Sequence, residues 1–256
     1  MPVRIALAVV LVACWDAWRL LAGRVEDAAG ATMLLVLLGG LGWRLWRMRP
    51  GTRISAPMLA GLLVAYAVAT WTGPALLQIG TAVMAVTILL WGDARPAQRW
   101  PVIGAALLAL PILPTLDFLL AYPLRRISVL ITAALLRMNG MGVSVEGVAL
   151  DWHGQRLLFD GPCSGVKMLW AALMLASLIA FAQGAGLLRY AGLLAIAVAA
   201  AVVGNALRAA SLFYIQNGFI APLQGPVAHE AVGIAAFAML ALAILAASPR
   251  SFRRTI

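Results

Sequence analysis

The chain carries few residues from which chemistry can be built. Its 256 residues include two cysteines (Cys14 and Cys163), two histidines (His153 and His229), a single lysine (Lys167) and nine acidic residues. Two cysteines exclude a disulfide framework and a cysteine-built metal site, and neither a metal nor another cofactor is expected. Only 11% of the residues are charged and 64% are hydrophobic. A soluble domain of this length could not cover so much apolar surface. The net charge of +10 would suit a nucleic-acid binder, but 18 of the 19 basic residues are Arg, most of them at the ends of apolar runs. That is the pattern of cytoplasmic loops in a membrane protein, so the lipid bilayer, and no nucleic acid, is the expected partner. The first apolar segment has no small-residue cleavage site and carries Asp16 and Arg19, which marks it as a retained helix rather than a signal peptide.

Apolar runs of about twenty residues suffice to span a bilayer. They run from Ile5 to Leu21, Ala31 to Trp46, Ser55 to Trp71 and Pro74 to Trp91. A fifth begins near Pro101 and should kink at Pro111 and Pro114. Three more follow: Ser164 to Phe181, Leu187 to Tyr214 and Val227 to Ala247. The expected fold is therefore an all-α polytopic membrane protein of about eight transmembrane helices. It is read as one integral membrane domain over residues 1–256, with four N-terminal helices in 1–100 and a second half in 101–256. Between the fifth and sixth runs, Tyr122-Pro123-Leu124-Arg125-Arg126 opens a basic amphipathic stretch that ends near Asn139-Gly140, expected as a short interfacial helix on the outer face. Gly142 to Phe159 then alternates like strand, with His153-Gly154 as the turn of a β-hairpin.

The loop charges set an orientation. Arg4, Arg44, Arg47, Arg49, Arg53, Arg95, Arg99, Arg189, Arg250, Arg253 and Arg254 share one side if the helices alternate, so both termini are expected inside. Glu26, Asp27, Glu146, Asp151, Asp160 and Glu230 fall on the opposite face, and Arg125, Arg126 and Arg137 argue mildly against the assignment.

The polar approach closes with Asp160-Gly161-Pro162-Cys163-Ser164-Gly165 and then becomes a long apolar run. Pro162 cannot continue a helix from upstream, and Asp160 or Ser164 could cap the next one. Cys163 thus stands at a helix N-terminus, where unpaired N–H groups and the positive dipole end favour thiolate. The plainer reading is a small apolar core residue.

What shifts the balance is company at the same depth. Near the outer end of the seventh run stand Asn205 and Arg208, an i,i+3 pair; the eighth run opens with His229-Glu230. Singly, Arg208 could snorkel to headgroups, His229 could be an interfacial residue and Asn205 could hold helices together. Together with Cys163 they form a thiol, a base and a fixed cation, the set needed for covalent acyl transfer.

These residues carry a resemblance. Asp160-Gly161-Pro162-Cys163-Ser164-Gly165-Val166, Gly204-Asn205-Ala206-Leu207-Arg208 and Ala228-His229-Glu230-Ala231-Val232-Gly233 resemble the three signature blocks of the exosortase/archaeosortase family. The likeness covers roughly Ala121 to Ala247; the first four helices match only in being hydrophobic spans. Lys167, soon after the cysteine, departs from the pattern. The resemblance implies a sortase-like cysteine transpeptidase or protease of the bacterial inner membrane, active on its periplasmic face. Its partners would be membrane-anchored proteins bearing a C-terminal PEP-CTERM-type signal (short motif, one helix, basic cluster), with water or a glycolipid amine as acceptor. Cys163, Arg208 and His229 would be catalytic, and Asn205, Glu230 and Ser164 supporting. Two rivals stand beside this reading. One is a non-enzymatic transporter or scaffold for envelope polysaccharide; the other is an enzyme acting on lipid-linked phosphate through Arg208 and His229, which would leave Cys163 idle.

Overall fold

A computed structural model describes residues 1–24, 28–47, 52–92, 95–158, 164–219 and 226–248. The chain folds into two compact units, residues 1–112 with 180–187, and residues 113–179 with 188–256.

In the first unit, helices α1 (Val3–Ala13) and α2 (Trp15–Ala22) meet at Cys14 with a bend of 65°. They are followed by α3 (Ala28–Arg47), α4 (Ala56–Thr72), α5 (Ala75–Trp91) and α6 (Pro96–Leu108). The unit is built around α5. Its Ala82, Ala85, Val86, Leu89 and Leu90 close a core with Val3, Ala6, Val10 and Cys14. The start of the chain is held to the α3–α4 connection by main-chain bonds from Met1 to Ile54 and from Val3 to Thr52. Arg44 Nε, the expected loop cation, donates to the Leu90 carbonyl at 2.8 Å, closing the exposed end of α5.

The second unit contains α7 (Leu113–Met138), strands β1 (Ser144–Glu146), β2 (Ala149–Trp152) and β3 (Gln155–Leu158), then α8 (Val166–Gln183) up to Ile179, α9 (Leu187–Gln216) from Leu188 and α10 (Pro226–Ala247). Residue pairing fixes their directions. Ser128 meets Asn205 while Leu136 and Phe213 share a core, so α7 and α9 run parallel. Ser177 Oγ lies 2.9 Å from Tyr190 Oη at one end and Gly165 touches Asn205 at the other, so α8 runs antiparallel to α9. Gly204 faces the Ala236 carbonyl and Gly233 faces Arg208, so α10 is antiparallel to α9 as well.

Two expectations change here. The stretch from Tyr122 is not a separate interfacial helix; it is the continuation of a 26-residue α7. The break lies earlier, at residues 109–112 around Pro111, and Pro123 is absorbed because one lost N–H costs less in a helix that neighbours support. Of the eight expected spans, the described residues supply four helices of full spanning length: α7, α8, α9 and Glu230–Ala247 of α10. The bent α1–α2 pair makes five if it crosses as one. Helices α4 and α5 are apolar but have 17 residues each, about 25 Å against a hydrocarbon core of about 30 Å. The all-α polytopic membrane architecture stands.

The expected hairpin is present, with one strand more. In the antiparallel order β1-β2-β3, Trp152 pairs with Gln155 across a two-residue turn. His153 and Gly154 have φ of 50° and 79°, the two positive values a type I′ turn requires. Asp151 accepts a hydrogen bond from the Gly154 N–H and steadies that turn. One face of the sheet (Val145, Leu150, Trp152 and Leu157) packs on Val129, Ala133, Leu136, Ala209 and Phe213. Arginines from α7 close the β1 side: Arg137 Nε donates to the Val143 carbonyl at 3.0 Å, and Arg126 donates to the carbonyl of Gly147. That use accounts for two of the three arginines that ran against the charge asymmetry.

Candidate active site

Helix α8 begins in an unusual way. Gly165 has φ +79°, and its carbonyl accepts the first helical bond, from Leu169 N at 2.9 Å. Gly165 therefore holds the cap position, and Ser164, buried, accepts a bond from the Val166 N–H at 3.4 Å in a serine turn one residue ahead of it, not as the expected helix cap. Asp160 and Cys163 lie outside the described residues. Cys163 is three residues before the first residue of α8 and directly before Ser164.

Behind Gly165 stands Asn205, itself only 2% exposed. A Cβ on Gly165 would come within 2.9 Å of Asn205 Nδ2 and 3.0 Å of its Cγ. The amide also donates to Ser128 Oγ at 2.9 Å, and one turn along α7 the Thr132 hydroxyl donates to the Ala206 carbonyl at 3.2 Å. These bonds lie within an apolar packing, where leaving such a group unpaired costs about 1–3 kcal/mol. Asn205 therefore binds α7 to α9 and supports the backbone just after the cysteine.

One turn further along α9 is Arg208, half-buried. Its Nε lies 3.6 Å from where a Cβ on Gly233 would stand, so the guanidinium rests against the α10 backbone. His229 is four residues before Gly233 on α10, one helical turn away on the same stripe. Glu230 is exposed. Two glycine contacts thus bring the three sequence blocks into one layer: Gly165 to Asn205 joins the first to the second, and Arg208 to Gly233 joins the second to the third. A guanidinium held there is suited to an anionic group, since a fixed charge acts more strongly where water is reduced. Among the described residues no group of His, Cys, Asp and Glu could hold a metal ion.

Sequence reading alone did not single out Ser128, Thr132 or Gly233. The signal for the first two was a polar pair at i,i+4 within the apolar stretch of residues 127–136; the third is a glycine one turn after the histidine. Cys14, inside the first apolar run, lies at the α1–α2 bend, fully buried.

The model of a family described as transmembrane exosortase matches residues 3–246. The match extends the likeness seen in the second half to the N-terminal helices. No curated protein and no solved structure matches.

Proposed function

The chain belongs to the transmembrane exosortase family, and from that premise we propose that it is a cysteine peptidase or transpeptidase of the bacterial inner membrane. It cuts proteins that end in a PEP-CTERM-type sorting signal. The observation that carries this reading is the pair of glycine contacts, which gathers the cysteine, arginine and histidine blocks at one end of α8, α9 and α10.

In the proposed reaction the Cys163 thiolate attacks the scissile carbonyl carbon. Arg208 stabilises the oxyanion that develops. The C–N bond then breaks, the amine leaves with a proton from His229, and a thioester to Cys163 remains. Water or an acceptor amine, deprotonated by His229, attacks the thioester and releases the thiolate. Asn205 and Ser164 hold the loop and helix start on which Cys163 stands, and Glu230 is a candidate for tuning His229. The orientation proposed is the one given by the loop arginines, with eight spans, both termini inside and this layer on the periplasmic face.

The test is processing of an endogenous substrate in a cell lacking other family members. Cys163→Ala, Arg208→Ala and His229→Ala should each abolish processing with membrane levels unchanged. Full processing by Cys163→Ala would remove the nucleophile and return the chain to the transporter or scaffold reading. If thiol alkylation from outside left activity intact while Arg208→Ala abolished it, the lipid-phosphate reading would gain instead.

A further inference from the structure

The small sheet has two outer edges. At the β1 edge, α7 arginines bond the carbonyls of Val143 and Gly147, the residues that flank the strand. On the β3 side, no main-chain group outside β2 bonds to the strand among the described residues.

The register tells which groups face outward there. Trp152 and Gln155 flank a two-residue turn and are therefore a hydrogen-bonded pair. Pairs alternate from that point, so Leu150 and Leu157 are bonded, whereas Asp151 with Arg156 and Ala149 with Leu158 are not. The N–H and C=O of Arg156 and Leu158 consequently point away from β2, along an edge that no described residue covers. Gln155 and Arg156 are exposed. An edge of this kind is a template for an extended chain unless something covers it.

Position supplies the occupant. β3 ends at Leu158 and the chain reaches Cys163 five residues later, a span of at most about 18 Å. A peptide bond presented to a thiolate has to be extended with its carbonyl accessible, which is the conformation a strand edge imposes. We propose that the substrate's cut-site segment docks on the β3 edge as a fourth strand. Its main chain bonds to the N–H and C=O groups of Arg156 and Leu158, which align the scissile bond with Cys163. This inference rests on the peptidase reading above and adds the binding surface to it.

The edge makes an unusually clean variant available. Arg156→Pro deletes an outward N–H but no β2–β3 bond, because the Arg156 N–H takes no part in that ladder. Arg156→Ala removes the same side chain and keeps the N–H, so comparison of the two isolates the main-chain donor. Processing by the proline variant should fall about tenfold below that of the alanine variant, the scale of one lost hydrogen bond. The rate of Cys163 alkylation by a small thiol reagent should be equal in both. Independently, the wild-type enzyme is given synthetic peptides that carry the cut-site segment and its helix, each N-methylated at one amide. Processing should drop at alternate positions, with a period of two. Equal processing by the two Arg156 variants, or no alternation along the peptide, overturns docking on β3 and leaves the peptidase reading standing. Processing by Cys163→Ala would instead remove that reading itself.

Discussion

Gly165 and Asn205 approach one another more closely than any side-chain-bearing residue at position 165 would permit. A Cβ there would sit 2.9 Å from Asn205 Nδ2, and the backbone is already at φ +79°. Gly165→Ala should therefore be penalised twice, by about 1–3 kcal/mol of backbone strain and by displacement of a buried amide. The expected outcome is a loss of processing of at least about tenfold, with a much smaller change in membrane abundance. Pulse–chase of a substrate alongside quantitative blotting decides it; normal processing would show that the loop tolerates movement of this support.

The contact between Arg208 and Gly233 has slack instead. With Nε at 3.6 Å from the position of a Cβ, Gly233→Ala makes an ordinary contact and gains helix propensity of about 1 kcal/mol. Gly233→Leu forces the guanidinium off α10. The alanine variant should process near the wild-type rate and the leucine variant should resemble Arg208→Ala. If alanine and leucine were equally harmless, the position of Arg208 against α10 would not matter to the reaction.

Cys14 has 0% exposure at the α1–α2 junction. Cys14→Ala should leave processing within about twofold of normal, because the change removes one small buried group. In the wild-type chain a membrane-impermeant thiol reagent applied from outside should label Cys163 alone. Mass spectrometry of the labelled chain checks both statements, and labelling at Cys14 would overturn the orientation as well.

In the proposed orientation, the inner-face loops bear on how a substrate's basic tail is read. Arg44, Arg47, Arg53, Arg95 and Arg99 offer such a tail like charge, which is repulsive until screened at about 8 Å. The tail should anchor depth through anionic lipid rather than pair with this protein. Lengthening the substrate helix by one turn, about 5.4 Å, should impair processing more than exchanging its arginines for lysines. The reverse ranking in a processing assay would require a specific receptor on the cytoplasmic side.

Local signals in the chain led furthest where the structure is itself local. His153-Gly154 announced its turn and Asn139-Gly140 the end of a helix, where Gly140 has φ +78°. Each depends on the conformational habits of one or two residues. The run through Pro123 was misjudged because arginines at 125 and 126 look interfacial until a partner is known; for Arg126 it is a carbonyl 21 residues on. Within the expected strand stretch, what went unread was the turn at Gly147-Val148 that divides β1 from β2, where Gly147 has φ +60°. The bond from Asn205 to Ser128 spans 77 positions, and no pattern within a single helix records it.

Helix α9 is fastened at two heights, by the Tyr190 hydroxyl at Ser177 and by Asn205 at Ser128 and Gly165. The fifteen steps between them make a gauge of about 22 Å, and each step also turns the helix by about 100°. Loss or gain of one residue in that interval would shift the height by only about 1.5 Å but swing Asn205 and Arg208 away from their partners. Phase returns after seven residues, close to two full turns. The length of this interval is therefore quantised: the layer of Asn205 and Arg208 can be lowered or raised in phase only in jumps of about 10 Å, a third of a bilayer's hydrocarbon thickness.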